Sequence, residues 1–285
     1  MKTKPAEETK AALWEVRGDV RRDGVRDLFS QIAPVYDKVN SWMTLGRHVA
    51  WRAQAVASIQ LQPGEEVLDL CCGTGDFFPP IRAKIGAEGR LVGLDFCAEM
   101  LDRARAKDPD AELVMGDATR LPFADAEFNA ITVGWGIRNV PDIDAAHREA
   151  FRVLRSGGRF VSLDTARPAN GLVRWGSTAV QNVLIPFLGR LVGKSEQYRY
   201  LPKSAGTFLD RAGLEQSMRE AGFVAPVETG FVTAAGLSQM PAKPGTLELK
   251  RRGRVVLGDP DVRRHVPDYR PGDIPAEERW LLLEN

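Results

Sequence analysis

Cysteine is scarce: the chain has three in 285 residues, Cys71, Cys72 and Cys97. Adjacent cysteines rarely bridge, and no histidine joins these at zinc-ligand spacing, so neither a disulfide framework nor a metal site is implied. The thiols read as buried groups in a reducing cytosol. Net charge is nearly absent as well. Lys and Arg total 39 against 38 Asp and Glu, a formal +1, which leaves no overall field to favour nucleic acid or an anionic surface. No long apolar run is present. Val180 to Gly193 is the richest stretch, yet it contains Pro186 and Arg190 and falls short of the roughly 20 residues of a membrane span. The opening MKTKPAEETK is charged and carries no apolar signal core. The 44% hydrophobic content that remains is enough for a large core in one domain with extensions.

The chain is organised around Val67 to Asp76, VLDLCCGTGD. Strand-like Val67–Leu70 runs into a turn with glycine at Gly73 and Gly75, then into a helix expected from Asp76 to Ile85. Glycine lets the backbone approach a ligand closely, and the amides of a helix start point at whatever docks there. A dinucleotide site usually shows a third glycine where this chain has Phe78. Asp76 after the turn repels a pyrophosphate but accepts from an ammonium group. S-adenosylmethionine, which carries no phosphate, fits better. The second strand, Leu91–Asp95, ends in a carboxylate at the spacing that holds a ribose diol. A third, Glu112–Gly116, precedes Asp117, expected to accept the adenine amino group, and Ala118, expected to offer its amide.

Further strands are expected at Phe128–Val133, Arg159–Leu163 after a turn at Arg155–Gly158, Phe223–Val227 and Gly230–Gln239. Helices are expected at Ala98–Ala106, Ile143–Leu154 and Asp210–Ala221. Strands alternating with helices at this spacing predict an α/β fold: a mostly parallel, seven-stranded sheet with helices on both faces. Residues 1–24 read as a mobile arm, 25–240 as the domain, and 241–285 as a tail of unassigned role. Between about 169 and 208 the alternation stops in a helical insertion, a lid with an apolar inner wall.

Several runs together resemble the ubiquinone/menaquinone C-methyltransferase family, the UbiE/MenG type of class I methyltransferase. They are APVYDKVN, LDLCCGTGD, GLDFCAEML, GDATRLPF, GWGIRNVPD, REAFRVLRSGGRF and YRYLPKSAGTF, in order from Val25 to Pro244. The resemblance implies a Rossmann-like fold and cofactor contacts at Gly73, Thr74, Gly75, Asp95, Asp117, Ala118 and Gly134. Gly134 stands where the family commonly has serine, and Asp164 where it has glutamate. The end of the chain, TAAGLSQM, departs from the family's Gly-Gly and Ala-x-His pattern. Tyr36, Asp37, Tyr198 and Tyr200 are implied as substrate contacts.

The reaction so implied places a methyl group on a quinol ring carbon beside a hydroxyl. A phenol of pKa near 10 is ionised to about one part in a thousand at pH 7, roughly 4 kcal/mol short of full ionisation. A fixed positive charge recovers part of that. Arg138 is the candidate, as phenolate stabiliser rather than base, with Asn139 orienting the oxygen. Pairing of Arg138 with Asp142 or Asp144 is the structural alternative. The expected substrate is a prenylated quinol, demethylmenaquinol or its phylloquinone equivalent. The alternatives are the ubiquinone-pathway benzoquinol, another small apolar metabolite, or cofactor binding without catalysis. Expected partners are the quinol and a transient membrane surface, without nucleic acid, in a monomer or homodimer located in the cytoplasm or at the inner membrane face.

Overall fold

The computed structural model describes residues 18–164, 182–209, 211–226 and 246–250. Seven strands form one sheet: β1 (Glu66–Leu70), β2 (Arg90–Asp95), β3 (Glu112–Met115), β4 (Phe128–Gly134), β5 (Leu154–Leu163), β6 (Val224–Pro226) and β7 (Thr246–Lys250), in the order β3-β2-β1-β4-β5-β7-β6. The first five in that order run parallel, and β7 lies antiparallel to both β5 and β6. β1 is buried on both faces, the pattern of a central parallel strand.

Register explains the two halves of the core. Leu68 and Leu70 of β1 lie beside Val92 and Leu94 of β2 and Ile131 and Val133 of β4. This face packs on α6 (Ile143–Val153) and α9 (Arg211–Glu220) through Ala146, Ala150 and Met218. On the opposite face, Val67, Leu91 and Ala130 meet α3 (Arg47–Ser58) and α4 (Phe78–Ile85) through Ala55, Val56, Phe78 and Ile81. A third cluster joins Val25, Leu28 and Ile32 of α1 (Gly18–Ile32) and Val39 of α2 (Tyr36–Thr44) to Met100 of α5 (Ala98–Lys107). Leu188 of α7 (182–191) and Tyr198 and Tyr200 of α8 (Ser195–Thr207) complete it.

Three expectations shift. The helix after the glycine turn starts at Phe78, with Pro79 and Pro80 in its first turn where the missing N–H costs nothing. Arg155–Gly158, expected as a turn, lies inside β5 as a bulge: Leu154 pairs with Phe128, and the register resumes at Arg159 with Ala130. The strand expected at Gly230–Gln239 falls outside the described residues, and β7 comes instead from the stretch read as a tail. Of the arm expected at 1–24, residues 18–24 belong to α1 and the rest lie outside the described residues, as do 169–181 of the lid. Contacts divide the chain into Met1–Arg251 and Arg252–Asn285; the second unit also lies outside them. Among the described residues no helix is long and apolar enough to cross a membrane.

Candidate active site

A cavity of about 650 Å³, open solvent at its mouth included, lies at the carboxyl ends of β1, β2 and β4. Gly73, at the turn after β1, lines it with φ +54°, and a Cβ there would meet no protein atom within 4 Å. The left-handed φ favours glycine here, and the open space beside it leaves the backbone bare at the cavity. Asp95, at the end of β2, also lines the cavity and is 5% exposed. Its carboxylate accepts the Gly73 N–H at 2.9 Å and the Cys97 N–H at 3.0 Å. Burial raises its pKa to about 6 against the pull of these two bonds.

Asp117 and Ala118 follow β3, at the same cavity. One Asp117 oxygen accepts from the Thr119 N–H at 2.8 Å and hydroxyl at 2.7 Å. The other lies 3.8 Å from the Arg22 guanidinium, which α1 brings to the cavity wall. Gly134 ends β4 at the wall, where an added Cβ would lie 2.6 Å from the Phe77 ring. Any larger residue here would force the Phe77 ring to shift.

Four residues expected at the ligand are not among those that line the cavity. Thr74 is buried behind the turn: its hydroxyl donates to Asp37 at 2.5 Å and accepts from the Lys107 ammonium at 2.9 Å. Asp37 is thereby a tie between α2 and the turn rather than a cavity residue. Gly75 packs against Phe78, 2.8 Å from where its Cβ would stand. The Phe78 ring also reaches the Cβ position of Gly93, filling the space between helix and strand that a third glycine would otherwise leave. Tyr198 is fully buried in the third cluster, its hydroxyl without a hydrogen-bond partner among the described residues.

Asp76 also faces away from the cavity. It takes an ion pair from Arg52 at 3.2 Å and a short one from Lys107. Burial opposes ionisation, but these two cations hold its pKa below the usual value. The ammonium expected to meet Asp76 is therefore a lysine of the chain itself.

The turn of 3₁₀ helix at Ile137–Asn139 sets out the rest of the site. Asn139 lines the cavity, 8% exposed. Its Oδ1 accepts from the Tyr200 hydroxyl at 3.2 Å, and its Nδ2 donates to the Trp135 carbonyl at 3.1 Å. Tyr200 thus acts through Asn139. Arg138 does not line the cavity: its guanidinium donates to Asp164 at 3.1 Å, with the two side chains 10% and 5% exposed. Asp142 caps α6 through the Ala145 N–H, and Asp144 accepts from Ser217. Tyr36 lines the cavity, its pKa raised by burial.

The match to known proteins agrees with this geometry. The model of the ubiE/COQ5 methyltransferase family matches residues 16–236. The chain belongs to this family. It is 37% identical to demethylmenaquinone methyltransferase of Lactococcus lactis, over 72% of this chain and 84% of that one. It is 36% identical to the enzyme of that name from Desulfitobacterium hafniense, over 80% and 92%. Solved methyltransferases share the fold: one from Thermotoga maritima at TM-score 0.56 and 24% identity, covering 79% of this chain and 99% of that one, and one from Aquifex aeolicus at 0.53 and 13%, covering 75% and 97%. The chain is therefore a methyltransferase, and its cofactor is S-adenosylmethionine. The residues present fit that molecule: the open face of Gly73 gives it room, and buried Asp95 offers a carboxylate for its ribose hydroxyls.

Sequence reasoning missed Arg22, Phe29, Met100 and Trp135 at the wall, and Arg52 and Lys107 around it. The charged positions on α1 and at the end of α5 carry no local signal. Trp135, between two glycines directly after β4, was visible as an unusual bulky residue at a strand end.

Proposed function

We propose that the chain methylates a ring carbon of a prenylated quinol, demethylmenaquinol before others. The observation that carries this reading is Asn139: a buried amide at the cavity wall, locked by Tyr200 and the Trp135 carbonyl, with one Nδ2 hydrogen left for an oxygen in the cavity. When bound, S-adenosylmethionine supplies a methyl group on a cationic sulfur that departs as a neutral thioether, the ring proton being lost to water. Asn139 orients the quinol oxygen. Arg138, next in the chain, favours the ionised form of that oxygen through its positive charge, while Asp164 fixes the guanidinium and offsets part of the charge. Gly73, Asp95, Asp117, Ala118 and Gly134 hold the cofactor, and Tyr36 closes the substrate side.

The names of the relatives support the choice of quinol. So does α7, which leaves Val183, Phe187 and Leu191 exposed at four-residue spacing, one stripe suited to brief contact with the membrane surface that holds prenylated substrate. The protein would then work in the cytoplasm at the inner membrane face. The test is purified protein with methyl-labelled cofactor and two quinols: demethylmenaquinol and 2-methoxy-6-polyprenyl-benzoquinol. Label in the naphthoquinol ring is expected. Label in the benzoquinol alone moves the reading to the ubiquinone branch, and label in neither refutes it.

A further inference from the structure

Trp135 holds a backbone conformation that bulky residues rarely take, φ +54°. The strain is fixed from both sides: its N–H donates to the Leu163 carbonyl at 2.8 Å, and its own carbonyl accepts from Asn139 at 3.1 Å. The neighbouring glycines are needed for room, since a Cβ on Gly136 would lie 2.4 Å from that of Cys71 and one on Gly134 would strike Phe77. Strain held this firmly at a ligand cavity points to function. The side chain is partly buried and Trp135 lines the cavity. The Arg52 guanidinium sits over its ring at 4.7 Å, and Trp51 leans on it at 6.3 Å between centroids.

Arg52 is itself fixed. It is 5% exposed, bonded to His48 Nδ1 at 2.8 Å and paired with Asp76 at 3.2 Å. Burial and the neighbouring Arg52 charge hold the His48 pKa below its usual value, so the imidazole stays neutral and accepts from the arginine. A cation over one face of an indole draws the π density toward itself. What the ring then offers to a ligand suits an electron-rich aromatic ring better than a second cation such as a sulfonium.

We propose that Trp135, polarised by Arg52, is the platform on which the substrate's electron-rich ring stacks. Trp135 is thus a determinant of substrate rather than cofactor recognition, and this inference rests on the quinol reading above. The platform orients the ring for the Asn139 amide, since both residues are tied through the Trp135 carbonyl.

The experiment compares Trp135→Leu and Trp135→Phe with the parent protein. It reads KM for demethylmenaquinol, and the affinities for S-adenosylmethionine and for S-adenosylhomocysteine, which lacks the positive charge. Trp135→Leu is expected to raise the quinol KM at least tenfold, with both cofactor affinities within threefold of the parent. Trp135→Phe is expected to bring KM back to within threefold. Trp135→Met takes the place of the leucine variant where that chain does not fold. An unchanged quinol KM overturns the proposal, as does equal damage in the phenylalanine variant. A selective loss of affinity for the charged cofactor also overturns it, because the ring would then face the sulfonium. Failure of the parent protein to methylate any quinol refutes the function, a result separate from all of these.

Discussion

Asp69→Asn should stabilise this protein at neutral pH and above, through an advantage over the parent that grows as pH rises from 5 to 7. Asp69 sits in the middle of β1, 1% exposed, opposite Gly93 of β2 and Thr132 of β4. Its Oδ1 accepts from the Thr132 hydroxyl at 2.6 Å, while Oδ2 has no hydrogen-bond partner among the described residues. Burial pushes its pKa up to about 7, with the Thr132 bond pulling the other way. A carboxyl whose pKa is higher in the folded than in the unfolded chain favours folding while protonated. That contribution is full below the unfolded value near 3.8 and is lost as pH rises to 7. At about 1.36 kcal/mol per pH unit, the folded protein carries a penalty of about 2 kcal/mol at pH 5 and about 4 kcal/mol at pH 8. Asparagine removes the titration and keeps an oxygen for Thr132. Its unpaired amide costs about 1–3 kcal/mol at every pH, so the change between pH values isolates the charge. Urea unfolding of both proteins should show the variant gaining about 2–3 kcal/mol on the parent from pH 5 to pH 8. A difference independent of pH would show that water or another group already pays for the Asp69 charge.

Two further outcomes follow from the same geometry. If Asp95 holds the ribose hydroxyls as a carboxylate, cofactor affinity should be constant above its pKa of about 6 and fall about tenfold per pH unit below it; calorimetry from pH 5 to 8 that shows a flat profile would remove Asp95 from the contact. Gly134→Ser drives a Cβ to 2.6 Å from the Phe77 ring and should cost about 1–3 kcal/mol in denaturant unfolding. Pairing it with Phe77→Leu should recover at least half of that, and no recovery would place the strain in the backbone instead.

The strand ends were legible in the sequence because buried parallel strands read as short apolar runs closed by glycine or aspartate; β1 through β4 each moved by one residue or less at either end. Which way a side chain leaves a strand end is not written locally. Thr74 lies between the two glycines of the turn yet its hydroxyl turns to Asp37 and Lys107, partners contributed by α2 and α5. Arg138 and Asn139 are adjacent, but the tight turn at Ile137–Asn139 sends one to Asp164 and the other to the cavity. The bulge in β5 was invisible for a related reason: Arg155–Gly158 has the composition of a turn, and only pairing with β4 keeps it in the strand.

Charge placement explains why a glycine turn of dinucleotide type serves a different cofactor here. Arg52, Lys107 and Arg138 surround the site, yet each is committed to a carboxylate: Asp76, Asp37 with Asp76, and Asp164. Among the described residues that line the cavity, the charged side chains are Asp95, Asp117 and Arg22. A pyrophosphate would face two carboxylates and one arginine that already leans toward Asp117. The Gly73 N–H, the donor such a turn would offer to phosphate, is given to Asp95 instead. The wall beside Asp95 and Asp117 therefore disfavours a pyrophosphate and suits a sulfonium cofactor, because the chain pairs its nearby cations before they reach that wall.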